Sequence, residues 1–86
     1  MIIITQEKMA IEQALTKIFI DILNLSPELV KKANMENTEN WDSFSHITLI
    51  MEIEQNCVDG QIGAEKIVEL TSFEKCLAYI YDAKVS

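Results

Sequence analysis

Apolar residues recur along most of this chain at spacings of three and four and rarely alternate with polar ones, so the dominant period is that of a helix. The first such stretch runs from about Thr5 to Leu23. Ile11, Leu15, Ile18 and Ile22 form one stripe there, and Glu7, Lys8, Glu12 and Lys17 lie mostly off it. Thr5 suits the cap of that helix, and Gln6 and Glu7 suit the positive end of its dipole. The pattern breaks from Asn24 to Trp41. Within the break, Ser26-Pro27-Glu28 reads as a cap followed by proline at the first helical position, which predicts a short turn through Leu29 and Val30. The run 33-ANMENTENW-41 then shows no period. A connection of this length inside a compact domain is usually functional or ordered by a short helix of its own.

Helical spacing returns from Ser43 to about Gln55, with Phe44, Ile47, Ile50 or Met51, and Glu54 in register. Asp42 and Ser43 both suit the cap of this second long helix, and Asn56 suits its end. Gly60 and Gly63 then punctuate the chain ahead of a weak element from Ala64 to Leu70. Thr71-Ser72-Phe73-Glu74 has the form of a T-x-x-E capping box before a last helix carrying Phe73, Leu77 and Ile80, with Tyr81 beside them. Three substantial helices with one or two short ones predict an all-α fold. The expected architecture is a small four-helix bundle with three long helices, one short helix and a long first loop. At 86 residues the chain is expected to form one domain. A domain of this size buries roughly 60–65% of its unfolded surface, enough for a core but not for a deep enclosed active site.

Charge narrows the partners. Fourteen acids face seven bases, all of them lysine, for a formal net charge of −7. A nucleic-acid interface needs a basic footprint, and anionic membrane surfaces repel an acidic chain. The expected partners are proteins with basic patches, steered by the opposite charge. No apolar run approaches the roughly 18 residues of a membrane span, so membrane insertion is not expected. Met1–Ile4 is too short for the apolar core of a secretion signal and has no basic lead. Cys57 and Cys76 are therefore expected to be part-buried, reduced thiols in a cytoplasmic protein.

The residues that carry chemistry elsewhere are sparse. Ser43 and His46 share a helical face, but Asp42 adjoins the serine instead of backing the histidine, and no Gly-x-Ser-x-Gly turn supplies an oxyanion hole. His46, Cys57 and Cys76 are isolated, without C-x-x-C or H-x-x-x-H pairing, so no metal site is expected. Trp41, the single tryptophan, is expected to pack where the loop enters the second helix. Ser43 stands out instead as a group to be acted upon. At a helix N-terminus it is exposed, and backbone N–H groups favour an attached phosphate there; plain helix capping by the same hydroxyl is the competing reading.

The run Asp42-Ser43-Phe44, then Ile47, Leu49-Ile50-Met51 and Glu54, resembles the attachment motif of acyl carrier proteins, D-S-L followed by an apolar helix. The Trp41-Asp42-Ser43-Phe44-x-His46 form resembles small discrete carriers of specialised pathways, and the likeness in element order extends over nearly the whole chain. It departs from the family at Phe44, where leucine is usual, and at 56-NCVDGQIG-63, which lacks the family's continuation into the third helix. The resemblance implies a non-enzymatic, monomeric bundle whose Ser43 carries 4′-phosphopantetheine through a phosphodiester, with acyl cargo held as a thioester. It implies a phosphopantetheinyl transferase, an acyl-loading ligase or synthase and acyl-transferring enzymes as partners. Asp42 would help position the transferase's metal or basic groups. One narrow helical stripe cannot bury all of Phe44, Ile47, Leu49, Ile50, Met51 and Ile53, so Phe44 and Met51 are expected to be partly exposed, ringed by Glu52 and Glu54, with Met51 as gap-filling core the competing reading. Under the resemblance Phe44, Ile47 and Met51 would be partner contacts. His46 would be a surface residue near the arm, and acyl sequestration in the core would be weak. The alternatives are an aminoacyl or peptidyl carrier and an unmodified acidic helical interaction module.

Overall fold

The computed structural model describes residues 5–58 and 60–85. The helices in chain order are α1 (Thr5–Leu23), α2 (Pro27–Val30), α3 (Ser43–Asn56), α4 (Ala64–Glu69) and α5 (Phe73–Val85). The fold is the small all-α bundle that the periodicity predicts, with two short helices rather than one. Among the described residues the only β pairing is an isolated antiparallel bridge between Asn34 and Ser72. No described helix is long and apolar enough to cross a membrane.

The central helix is α1, which makes the main helix-to-helix contacts with α2, α3 and α5. Its inward face is centred on Leu15, Ile18, Phe19 and Leu23, while Ile11 and Ile22 of the expected stripe are half-buried. The side chains of Thr5 and Gln6, and with them the expected cap, lie outside the described residues. At the other end Asn24 has a φ of 55°, the left-handed conformation that asparagine tolerates after a helix. The Asn40 side-chain amide reaches back to donate to the Leu23 carbonyl at 3.1 Å, satisfying one of the acceptors that a helix end leaves open.

Phe19 joins the layers. Its ring meets Trp41 edge-on at 5.2 Å and Phe73 at 5.1 Å, so α1, the end of the long loop and the start of α5 share one aromatic cluster. Leu49, Ile50 and Ile53 of α3 and Cys76 and Ile80 of α5 complete the core around it. Both cysteines are buried more fully than expected, and neither is in a disulfide. Burial, with Cys57 nearby, pushes the Cys76 thiol up to about 12, so it stays protonated and unreactive near neutral pH.

The Asn-rich loop is ordered by its own side chains. The Asn34 carboxamide oxygen accepts from the Glu36 and Asn37 amides, and the Asn37 oxygen accepts from the Asn34 amide. The loop also pairs with the chain entering α5: the Met35 amide donates to the Thr71 carbonyl and the Phe73 amide to the Ala33 carbonyl, both at 3.0 Å. This pairing corrects the expected capping box. The Thr71 amide is taken by the Glu69 carbonyl, the cap moves to Ser72, whose hydroxyl accepts from the Lys75 amide at 3.1 Å, and the reciprocal bond expected from Glu74 is not made. Ser26 does occupy the cap position of α2 ahead of Pro27, but its side chain makes no capping bond.

Phe19→Ala removes the ring common to both aromatic contacts and should cost about 3–5 kcal/mol in urea unfolding. A loss below about 1 kcal/mol would show that the cluster is not what joins the layers.

Candidate functional site

The loop delivers the chain to α3 through Trp41, whose amide donates to the Thr38 carbonyl at 3.0 Å. Asp42 follows in extended conformation, and its carboxylate accepts from the Ser45 amide at 2.9 Å. Asp42, not Ser43, is therefore the cap of α3, a choice that the sequence left open. The Ser45 amide bond holds the Asp42 carboxyl below its ordinary value, against the opposing effect of desolvation. Ser43 becomes the first residue of the 14-residue helix. It is exposed at the positive end of the dipole, and among the described residues its hydroxyl has no hydrogen-bond partner.

Two apolar faces run along α3. Leu49, Ile50 and Ile53 point into the core. Phe44, Ile47 and Met51, spaced by three and four, share the outward face, with Phe44 84% exposed and the other two 52%. The ambiguous pair thus separates: Ile50 belongs to the core and Met51 to the surface. α3 carries no lysine or arginine.

The expected acidic ring around this stripe is only partly formed. Glu52 is half-buried and accepts from the Asn56 side chain at 3.1 Å, closing the helix end. Glu54 turns to another task. Its carboxylate accepts from the Ile62 amide at 2.7 Å and draws the segment after Gly60 back onto α3, so it does not stand as a rim charge. The physical reason is that the Ile62 amide needs an acceptor as Ile62 enters the core.

His46 also departs from expectation. It is 7% exposed and not a surface residue. The Trp41 indole N–H donates to His46 Nδ1 at 3.0 Å, and His46 Nε2 lies 2.6 Å from the Ile67 carbonyl on α4. An indole N–H only donates and a carbonyl only accepts, so the ring is the neutral tautomer with its proton on Nε2. Both nitrogens are engaged, which leaves neither for the Ser43 hydroxyl and rules out an activated serine–histidine pair in this arrangement. The link was hidden in the sequence. Its one signal was that a buried tryptophan needs an acceptor, with a single histidine five residues on.

A groove of about 1020 Å³ lies open between α4 and α5, lined by Lys66, Val68, Leu70, Lys75 and Tyr79 among others. None of the expected site residues lines it.

A carboxyl lowered on folding stabilises the fold above its ordinary value of 3.8, and the contribution is lost as pH falls through the lowered value. Urea midpoints for the parent and Asp42→Asn should therefore differ most at neutral pH and converge in acid. A gap that stays constant to the lowest pH would show that the carboxylate charge at the cap does not stabilise the fold.

No model of a known protein family matches the chain, and no curated protein matches its sequence.

Proposed function

We propose that the chain is an acyl carrier whose Ser43 holds a 4′-phosphopantetheine arm. The observation that carries this reading is the division of roles at the start of α3. Asp42 takes the cap, so the adjacent Ser43 hydroxyl is exposed and uncommitted at the positive end of a long helix. That position suits a phosphodiester, because the N-terminal N–H groups and the dipole favour a bound anion. Capping by Ser43 itself, the competing role for the hydroxyl, is taken by its neighbour.

A transferase would supply the base and the coenzyme A. The Ser43 oxygen forms the new bond to the phosphorus that bears the pantetheine chain, the pyrophosphate bond of coenzyme A breaks, and adenosine bisphosphate leaves. His46 is not that base, since both its nitrogens are bonded elsewhere. The arm's terminal thiol would carry the acyl group as a thioester, and tethering would replace diffusion by a high local concentration in partner active sites. Phe44, Ile47 and Met51, exposed beside Ser43, give the loading and transferring enzymes an apolar contact, and the net charge of −7 suits partners with basic patches.

The test is intact-mass spectrometry after incubation with coenzyme A and a broad-specificity phosphopantetheinyl transferase. The parent should gain one phosphopantetheine and Ser43→Ala none, with stability within about 0.5 kcal/mol of the parent because Asp42 remains the cap. No mass gain with several transferases would overturn the carrier reading and leave an acidic interaction module. For the stripe, Phe44→Ala and Met51→Ala should slow transfer of the arm while leaving the urea midpoint nearly unchanged. Unchanged transfer rates would show that partners dock elsewhere.

A further inference from the structure

The groove of about 1020 Å³ between α4 and α5 plays no part in the carrier reading. α5 turns Lys75, Ala78, Tyr79 and Asp82 toward it, a spacing that places all four on one helical face. Ala78 is exposed and Tyr79 half-buried, and α4 adds Val68, which is 72% exposed. The centre of the groove is thus apolar and open to water.

The ends of the α5 face carry opposite charges. Lys75 stands one turn before Ala78, and Asp82 stands close to one turn after Tyr79. Among the described residues neither forms an ion pair, and the Lys75 ammonium meets only the Thr71 hydroxyl at a long 3.5 Å. On the α4 side the Lys66 ammonium lies 3.8 Å from Glu69. Two lysines and two acids make the groove neutral in a chain of net charge −7.

A uniformly acidic partner would meet Asp82 as a like charge, and a uniformly basic one would meet Lys75. The matching surface carries a base and an acid two helical turns apart, in the reverse order, and α5 itself is such a surface. The midpoint of Lys75 and Asp82 falls between Ala78 and Tyr79. A twofold axis through that point sets a second α5 antiparallel to the first, with each Lys75 facing Asp82 of the other copy. The same axis sets each Tyr79 ring against the small Ala78 of the other copy, a pairing of large with small that lets the apolar centre interlock.

We propose that a second copy of this chain occupies the groove, in an antiparallel twofold dimer with α5 against α5. Val68, Ala78 and Tyr79 supply the apolar contact. The charge pairs are exposed, so they fix register and direction more than they add affinity. The like net charges oppose association and the contact is small, so the dissociation constant falls between about 10 µM and 1 mM. This dimer replaces the monomer that the family resemblance implies. The groove shares no residue with Ser43 or with Phe44, Ile47 and Met51, so the dimer and the carrier reading fail separately.

Sedimentation equilibrium of the full chain from about 10 µM to 1 mM, in about 0.15 M salt, is the test. The mean mass should rise with concentration from 9.8 kDa toward twice that value. Lys75→Asp sets acid against acid and takes the net charge from −7 to −9, one positive charge being lost and one negative gained. Asp82→Lys sets lysine against lysine and takes the net charge from −7 to −5 by the reverse exchange. Both positions are exposed, so the variants should keep the parent's circular dichroism. Each variant alone should weaken the dimer at least about tenfold. Mixed in equal amounts, the two should associate with each other, because every facing pair is then opposite in sign. A parent that stays monomeric at about 1 mM overturns the proposal. It is equally overturned if Asp82→Lys tightens the dimer, since net charge and not the facing pairs would then govern it. A dimer that neither variant weakens, or variants that stay apart when mixed, would do the same.

Discussion

An indole N–H taken out of water must find an acceptor, and the arrangement around Ser43 follows from how Trp41 meets that demand. Trp41 is buried against Phe19, and the acceptor is a nitrogen of His46 on the first turn and a half of α3. That bond fixes where the long loop ends and how α3 is rotated as it begins. With His46 turned inward beneath Trp41, helical geometry sends Leu49, Ile50 and Ile53 to the core and leaves Phe44, Ile47 and Met51 on the far side. The second nitrogen of the same ring reaches the Ile67 carbonyl, so one imidazole sets the loop, α3 and α4 relative to one another.

The start of α3 separates two roles that one residue could have combined. A helix N-terminus needs an oxygen to accept from its open amides, and serine and aspartate both supply one. Asp42 takes that role and Ser43 is displaced outward by one position, exposed at the end of the dipole. The carrier function proposed for the chain depends on this displacement, because a serine spent as a cap would have to give up its bond on modification. The loop that leads into Ser43 is held by the aromatic cluster of Phe19, Trp41 and Phe73, which joins α1, the loop and α5.

Elements whose cause is local were legible. The extents of α1 and α3 follow from apolar spacing, that of α3 also from its capping residue, and proline at the first position of α2 follows from its fixed φ. The partial exposure of Phe44 and Met51 was legible by counting, since one helical face cannot hold every apolar residue between Phe44 and Ile53. Thr71 misled because its box pattern is local, while its backbone is held by Met35 from a distant loop. Glu54 misled in the same way: its spacing placed it with the exposed stripe, but the Ile62 amide, eight residues on, claimed its carboxylate.

The sequence by itself determined that this chain is helical, acidic and organised around an Asp-Ser pair ahead of an amphipathic helix, because periodicity, charge and turn chemistry act over a few residues. Only the tertiary structure decided which of Asp42 and Ser43 caps, that His46 is buried as a neutral bridge, and that Ser72 rather than Thr71 starts α5. The caps turn on a difference of one position that propensity does not resolve and that the chain's path into each helix does. The histidine's place depends on a partner 21 residues away, and hydrogen bonds between distant segments exist only once packing has brought the donor and acceptor together.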